Sequence, residues 1–220
     1  MTDLPPPNVE DDALTSTDDT TANHRSTIFM LYLLDMKSPV NGDKESNAIN
    51  FVRVLFEVVR YLDVMQKRDV LCWLRLHHLV ASQGGTSPTV DACIMGDNTS
   101  TLLVVKVDRH SRGFDSEARL FSDAIAAFHN DNIRRVEHRG TDPLTSKVML
   151  GIVMDGTMPT FYKIPITAEL VRAVESGKQP EQETVVHAYV PEVPRPEEGM
   201  KPSDNRHIIL SCLEAFRKFL

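Results

Sequence analysis

The chain is poor in cysteine. Its 220 residues include three, Cys72, Cys93 and Cys212, and they are scattered along the sequence. An odd, sparse set of this kind is typical of free thiols in a reducing compartment rather than of a disulfide framework. The sequence also lacks a Cys-x-x-Cys pair and a His-x-x-x-His spacing, which excludes the usual ligand pattern of a structural zinc site.

Long apolar runs and an excess of basic charge are also missing. No apolar run approaches the ~18 residues that a membrane-spanning helix needs, so we expect no membrane partner. The first residues are acidic and proline-containing, without the basic start of a signal peptide, which favours the cytoplasm or nucleus. The 24 Lys and Arg against 31 Asp and Glu give a net charge of −7. That balance argues against broad non-specific affinity for nucleic acids, although a local basic groove remains open.

The composition is otherwise that of a folded domain. Hydrophobic residues make up 41% of the chain, which is enough for a substantial core. Residues 1–26 are polar, contain a run of three prolines and cannot bury enough apolar surface to offset their ordering entropy. We therefore predict a disordered N-terminal tail over residues 1–26 and one domain over residues 27–220.

Hydrophobic periodicity predicts the elements of the first half of that domain. Apolar residues at three- and four-residue steps predict a helix over residues 46–66, and an alternating pattern predicts a strand over residues 69–79. Residues 89–95 and 102–108 read as two further strands, and Gly96-Asp97-Asn98 between them is a hairpin signal.

The second half continues the alternation of helices and strands. Asp115 is suited to cap a helix that runs to about Asn130, and Asp155-Gly156 is suited to the turn of another hairpin. The remaining predicted elements are strands at 148–154, 160–164 and 184–190, a short helix from Thr167 to Gly177, a loop at 191–202 and a final helix from Ser203 or Asp204. The pattern α-β-β-β-α followed by β-β-α-β-α predicts one mixed α/β domain.

The strand at 102–108 contains two charged residues among apolar ones. Lys106 and Asp108 share one face of that strand, because successive side chains point to opposite faces. With Asp91 on the preceding strand they form an arrangement typical of a metal-dependent nuclease, in which carboxylates hold Mg²⁺ and a cation stabilises the developing phosphate charge. The alternative is a strand end that emerges into solvent, with Lys106 extending past its apolar neighbours.

Residues from about 51 to 219 resemble a group of fungal proteins with a restriction-endonuclease-like core of the PD-(D/E)XK type. The resemblance is carried by Thr89-Val-Asp-Ala-Cys-Ile-Met, by Leu102-Leu-Val-Val-Lys-Val-Asp-Arg-His, and by residues 115–128, 161–167 and 205–216. It implies an α/β fold with a mixed central sheet flanked by helices. Asp91 matches the family's metal-binding acid on the second core strand, and Glu57 could match the acid of the first helix.

The resemblance also shows a departure. The family's third strand reads Glu-x-Lys, whereas the two positions here hold Lys106 and Asp108, so the charges are exchanged. Arg119 stands where the following helix commonly supplies Gln. The exchange moves each charge by about 6 to 7 Å along the strand, and a displacement on the scale of ~1 Å can already cost ~10²-fold in rate.

Two interpretations of the site follow. In one, the site is permuted but active: Asp91 and Asp108 hold Mg²⁺, Lys106 is the cation, and Glu117 or Asp123 restores a ligand. In the other, Lys106 lies opposite Asp91 and forms an internal ion pair in place of the ion, and no cofactor is bound. The second is favoured, because losing one metal ligand and reversing its charge opposes Mg²⁺ binding.

The leading functional expectation is therefore a degenerate nuclease-like domain that binds a nucleic acid or a protein. The alternatives are a Mg²⁺-dependent phosphodiesterase and a purely protein-interacting module, the latter supported by the acidic net charge. Phosphate contacts, if any, are expected from the basic residues around the second helix: Arg109, Arg112, Arg134 and Arg135. A solvated basic loop explains the same residues equally well.

Overall fold

In a computed structural model of the protein, the described residues are 20–35, 44–63, 65–76, 89–96, 100–107 and 115–220. The described helices are α1 (Thr20–Asp35), α2 (Lys44–Val58), α3 (Ser116–Arg139), α4 (Ala168–Glu175), α5 (Ser203–Arg217) and a 3₁₀ turn at Pro196–Glu198. The described strands are β1 (Arg68–Arg75), β2 (Thr89–Gly96), β3 (Ser100–Val107), β4 (Ser146–Asp155), β5 (Met158–Thr167) and β6 (His187–Tyr189).

These strands form one mixed sheet in the order β1-β2-β3-β4-β5-β6. Strands β3 and β4 run parallel, and the other neighbouring pairs are antiparallel. A parallel pair requires a crossover connection, and α3 supplies it. The predicted pairing of β2 with β3 and the predicted β4–β5 hairpin are both confirmed, and Gly156 in the second turn has the positive φ of 56° that glycine tolerates.

Helices cover both faces of the sheet. On one face α1, α2 and α5 enclose a core that includes Phe29, Phe51 and Phe216. On the other face α3 and α4 pack through residues that include Leu120 and Val171. The predicted class, a mixed α/β sheet flanked by helices, is therefore confirmed.

The start of α3 agrees with the sequence prediction, whereas its end does not. Asp115 caps the helix by accepting hydrogen bonds from the N–H groups of Glu117 and Ala118. The predicted end near Asn130 is wrong, because the helix continues to Arg139 and ends at Gly140 in a left-handed conformation. The later turns are held by polar contacts rather than by an apolar stripe, which is why periodicity missed them.

The predicted end of the helix over residues 46–66 is also wrong, since α2 stops at Val58 rather than at Gln66. The residues that follow α2 form hydrogen bonds with α5 instead. Arg217 donates to the carbonyls of Val59 and Arg60, both at 3.2 Å, and the buried Tyr61 hydroxyl donates to the Leu213 carbonyl at 2.7 Å. The two Arg217 hydrogen bonds satisfy carbonyls that a longer helix would have used.

The last strand, the last helix and the first helix agree with their predicted bounds to different degrees. The strand predicted over 184–190 is confined to His187–Tyr189, and the final helix begins at Ser203 as predicted. Helix α1 begins at Thr20, within the predicted tail, while residues 1–19 lie outside the described residues. Residues 77–79, the predicted end of the first strand, also lie outside them.

Candidate functional site

Asp91 and Lys106 meet across the central antiparallel pair. Ala92 is the register partner of Val105, so Asp91 and Lys106 are the next positions along β2 and β3. The Lys106 Nζ lies 3.1 Å from Asp91 Oδ1, and the Val107 N–H donates to Asp91 Oδ2 at 2.9 Å. Both oxygens of the Asp91 carboxylate are therefore occupied by donors from β3.

Helix α3 adds a second carboxylate to this pair. Asp123 faces the sheet, and its Oδ2 lies 3.4 Å from Lys106 Nζ. Asp91, Lys106 and Asp123 have residue exposures of 1%, 6% and 5%. Lys106 therefore does not extend past its apolar neighbours into solvent, and its ammonium lies between two buried acids. We call these three residues the Asp91 cluster.

Charge in the Asp91 cluster is unbalanced, with two carboxylates and one ammonium. Burial raises the pKa of Asp123 to about 6, because desolvation disfavours the charged form. The Lys106 ammonium opposes that rise and the Asp91 carboxylate adds to it. The pKa of Asp123 therefore lies closer to neutral pH than the ordinary 3.8 of an aspartate.

Asp108 lies outside the described residues, as do the phosphate-contact candidates Arg109 and Arg112. Arg119 is four residues before Asp123 on α3, and its charge lowers the pKa of Asp123. Arg119, which stands at the family's Gln position, is thus electrostatically coupled to the Asp91 cluster.

Two other predicted acids have different partners. Glu57 lies on α2, which packs on the opposite face of the sheet, and its carboxylate forms a 3.4 Å ion pair with Arg53. Glu117 accepts a 2.5 Å hydrogen bond from the hydroxyl of Tyr162. Burial and this carboxylate raise the pKa of Tyr162. The described contacts therefore place neither Glu57 nor Glu117 with Asp91 and Lys106.

The predicted basic residues Arg134 and Arg135 belong to the last turns of α3 rather than to a loop after it. Arg135 Nε donates to the carbonyl of Asp142 at 3.1 Å. Arg134 follows Asp123 by eleven residues, roughly 17 Å along the helix axis. These side chains lie too far along α3 to join the Asp91 cluster.

A second buried acid–lysine group, which the sequence analysis missed, lies two helical turns further along α3. Asp131 accepts from the N–H of Thr101 at 3.0 and 2.9 Å, from its hydroxyl at 3.0 Å, and from Lys147 Nζ at 3.1 Å. Lys147 also donates to the Thr101 carbonyl at 2.6 Å and to Ser100 Oγ at 3.1 Å. We call Asp131, Thr101 and Lys147 the Asp131 cluster. The sequence contains one feature that could have revealed this cluster: Asp123 and Asp131 are eight residues apart, which puts both on one helix face.

The thiol of Cys93 lies on the same side of the sheet as these clusters, in the core under α3. It is fully buried, and burial raises its pKa to about 12. A thiol of that pKa is almost entirely protonated at neutral pH and is a poor nucleophile. The geometry supports a structural thiol.

The Asp91 cluster does not fit a bound Mg²⁺ as it stands. Mg²⁺ needs carboxylate oxygens at about 2.0–2.1 Å with room for several waters. Here the Asp91 oxygens already accept from Lys106 and Val107, and the ammonium lies between the two acids. Over the described ranges, no group of three or more His, Cys, Asp or Glu could hold a metal ion.

No helix in the described part of the chain is both long enough and apolar enough to cross a membrane. In comparisons with known proteins, no protein-family model and no curated protein sequence matched this chain.

Proposed function

We propose that the protein is a non-catalytic domain with a restriction-endonuclease-like core, in which the Lys106 ammonium takes the position of a metal ion, and that it acts by binding a protein partner. The observation that carries this proposal is the position of Lys106 Nζ, 3.1 Å from Asp91 and 3.4 Å from Asp123. An internal cation there stabilises the buried acids without a bound ion.

The topology supports the fold part of the proposal. A helix is followed by three antiparallel strands, a crossover helix and a strand parallel to the third. Helices flank both faces of the sheet, as the resemblance implies. Asp91 and Lys106 occupy adjacent central strands, β2 and β3, as the family's motif positions do.

The electrostatics support the absence of catalysis. A catalytic lysine must be available to the developing negative charge of the substrate, whereas the Lys106 ammonium is shared between two carboxylates. A metal ion would have to displace that ammonium from a buried position. The displaced ammonium would lose both carboxylate partners, and loss of a partner from a buried ion pair typically costs ~3–5 kcal/mol.

The charge distribution favours a protein over a nucleic acid as partner. The chain carries a net charge of −7. Of the predicted phosphate-contact residues that are described, Arg135 is engaged with the carbonyl of Asp142 in its own chain. A phosphate backbone would have to compete with that contact and with the overall negative field.

A Mg²⁺-dependent phosphodiesterase is the second candidate, and one observation favours it. Helix α3 brings Asp123 to Lys106 and so supplies, beside Asp91, a second acid that does not depend on Asp108. In this alternative Asp91 and Asp123 would hold the ion after Lys106 moves toward the substrate.

Metal titration by thermal shift distinguishes the two candidates. The variant Lys106→Glu should be destabilised, because it adds a third acid beside Asp91 and Asp123, and Mn²⁺ should raise its melting temperature. The control Lys147→Met should be destabilised but not rescued, because Asp131 offers a single acid there. The melting temperature of the wild type should not respond to Mg²⁺ or Mn²⁺.

Cleavage and binding assays complete the test. Metal-dependent cleavage of single- or double-stranded DNA or RNA by the wild type, lost in Asp91→Asn, would establish the phosphodiesterase and overturn the non-catalytic proposal. Binding of short nucleic acids that weakens as salt rises would overturn the choice of a protein partner.

A further inference from the structure

Strand β6 is one edge of the sheet that the described strands form, and the chain on both sides of it continues in the same direction. The chain runs without a turn or bend from residue 183 to residue 193, and His187–Tyr189 within it pair with β5. No residue of this stretch has a positive φ, so its side chains alternate between the two faces of the sheet. We call residues 184–190 the β6 edge.

The β6 edge is more strand-like in sequence than the pairing that the fold gives it. Its seven residues, Thr184-Val-Val-His-Ala-Tyr-Val, are mostly β-branched or aromatic, which favours a strand over the whole length. Prolines on β5 limit the pairing to three residues. Beyond those residues the register would place Val185 opposite Pro165 and Pro191 opposite Pro159, and proline has no N–H for the ladder.

Apolar side chains of the β6 edge face solvent on both faces of the sheet. Val185 and Tyr189 lie on the α5 side and are 64% and 38% exposed, and Val190 on the other face is 54% exposed. An exposed strand-forming segment that is paired on one side is a site where another strand can add.

The β6 edge is held in place by contacts with the rest of the domain. The Tyr189 ring lies 6.4 Å from the Phe161 ring, and its hydroxyl lies 3.8 Å from Cys212 Sγ on α5. Val186 packs against the core under α3 and α4. A strand that is already ordered loses little conformational freedom when a second strand binds to it.

Acidic residues stand just beyond both ends of the β6 edge. Glu183 and Glu192 are exposed, and neither forms an ion pair within the described part of the chain. Two nearby basic residues are engaged within the domain. Arg195 lies 2.6 Å from the carboxylate of Asp204, and the Lys163 ammonium lies 3.4 Å from the centre of an aromatic ring. The ends of the edge therefore present negative charge.

We propose that the β6 edge receives an extended segment of a partner protein as an additional strand, and that this segment has a β-branched or aromatic centre between lysine or arginine residues. This inference rests on the proposed function, because it names the kind of protein partner. Backbone hydrogen bonds along the unpaired side of the edge bind the segment, and the exposed valines and Tyr189 pack against its side chains.

The charge at the ends favours a basic segment over a second copy of this chain. Antiparallel pairing of two copies about His187 or Ala188 would put Glu183 one position from Glu192 of the second copy, twice in each dimer. Exposed acids at that distance repel each other, whereas lysine or arginine in the same place is attracted.

Fluorescence anisotropy with synthetic peptides tests the proposal on the full chain. The probe is a labelled peptide of alternating valine and threonine with a pair of lysines at each end, and the matched peptide has glutamates in their place. The chain should bind the lysine-ended peptide and should bind the glutamate-ended peptide at least about tenfold more weakly. No binding of the lysine-ended peptide, or equal binding of both, would overturn the proposal.

Charge reversal on the protein tests where the peptide binds. Glu183→Lys and Glu192→Lys should each weaken binding of the lysine-ended peptide about two- to fivefold, and the double variant should prefer the glutamate-ended peptide. The control Glu137→Lys makes the same change of charge at an exposed residue of α3 and should leave binding unchanged. An equal loss in the control would mean that the peptide responds to net charge, and would overturn the assignment to β6.

Hydrogen exchange separates an added strand from a loosely held basic peptide. The lysine-ended peptide at saturation should slow exchange of amides in the β6 edge and leave the amides of β1, at the other edge of the described sheet, unchanged. Slower exchange at β1 alone, or at neither edge, would contradict strand addition at β6.

Other occupants of the edge give different results. Dimers of the chain alone in sedimentation velocity, weakened by Val190→Ser, would assign the edge to a second copy and overturn the choice of partner. Displacement of the peptide by short duplex DNA would assign it to a nucleic acid. The metal and cleavage assays do not involve β6, so failure of the peptide experiments would overturn this inference and leave the non-catalytic interpretation of Lys106 standing.

Discussion

Helix α3 presents two buried carboxylates to the sheet, and they are satisfied in different ways. Asp131 is one acid facing one lysine, and it also accepts from the backbone and hydroxyl of Thr101. Asp123 shares Lys106 with a second acid, Asp91. The first group is balanced in charge, whereas the second holds one more negative charge than positive.

This difference in charge balance marks the Asp131 cluster as structural and the Asp91 cluster as the candidate site. Asp131 accepts from Thr101 and Lys147, so the group fastens α3 to the starts of β3 and β4. The excess acid of the Asp91 cluster is what a cation-binding centre needs, and here a lysine supplies the cation. Buried charge alone would not have distinguished the two groups; the ratio of acids to lysines does.

Removing the lysines should produce the largest difference between the clusters. Lys106→Met leaves two buried carboxylates without a cation and should lower the free energy of unfolding by about 3–5 kcal/mol. Lys147→Met leaves Asp131 with its two Thr101 donors and should cost only about 1–3 kcal/mol. Urea denaturation at pH 7 measures both values. An equal or larger loss in Lys147→Met would contradict the distinction.

A smaller effect is expected from pH, through Asp123. Its pKa in the folded protein is about 6, above the ordinary 3.8. The folded state therefore holds the proton more tightly, so this group's stabilising contribution is complete below about pH 4 and is lost as the pH rises through 6. The loss should be roughly 2–3 kcal/mol.

The non-titrating variant Asp123→Asn isolates that contribution. Relative to the wild type, its free energy of unfolding should rise between pH 4 and pH 7, because it lacks the carboxylate that becomes charged. Denaturation curves at several pH values test this, and a difference that falls with pH would contradict the assigned sign.

The smallest predicted effect concerns the start of α3. Asp115→Ala removes the helix cap and should cost about 1 kcal/mol. The Asp91 cluster is nearer that end, so hydrogen exchange of the Val107 amide, which donates to Asp91, should speed up more than exchange of the Thr101 amide, which donates to Asp131. Thr167→Ala, which uncaps α4, is the control. Equal acceleration at both amides would mean that α3 responds as one unit.

Local patterns in the sequence predicted much of the fold. Alternation located β1, and a hairpin signal located β2 and β3. The Asp155-Gly156 pair located the turn of the second hairpin, and Asp115 and Thr167 cap helices as expected. The end of α2 was not predictable in this way. It depends on Arg217 and Tyr61 contacts that join residues more than 150 positions apart.

The residues of the candidate site were likewise predicted only in part. Asp91 and Lys106 were found because a strand's period of two and a hairpin signal place them on neighbouring strands. The partner of Lys106 on α3 was not determined, since Glu117 and Asp123 were equally available from the sequence. The packing of α3 on the sheet directs Asp123 to Lys106 and Glu117 to Tyr162.

The sequence by itself determined the strands, their alternating faces and the presence of an acid and a lysine on adjacent central strands. These properties follow from local periodicity and turn chemistry, which act over a few residues. Only the tertiary structure decided that Lys106 lies between two buried acids, that Asp131 and Lys147 form a separate balanced cluster, and that β1 stands at the edge of the sheet formed by the described strands. Those outcomes depend on how α3 crosses the sheet and on the strand order, which no short segment of the chain specifies.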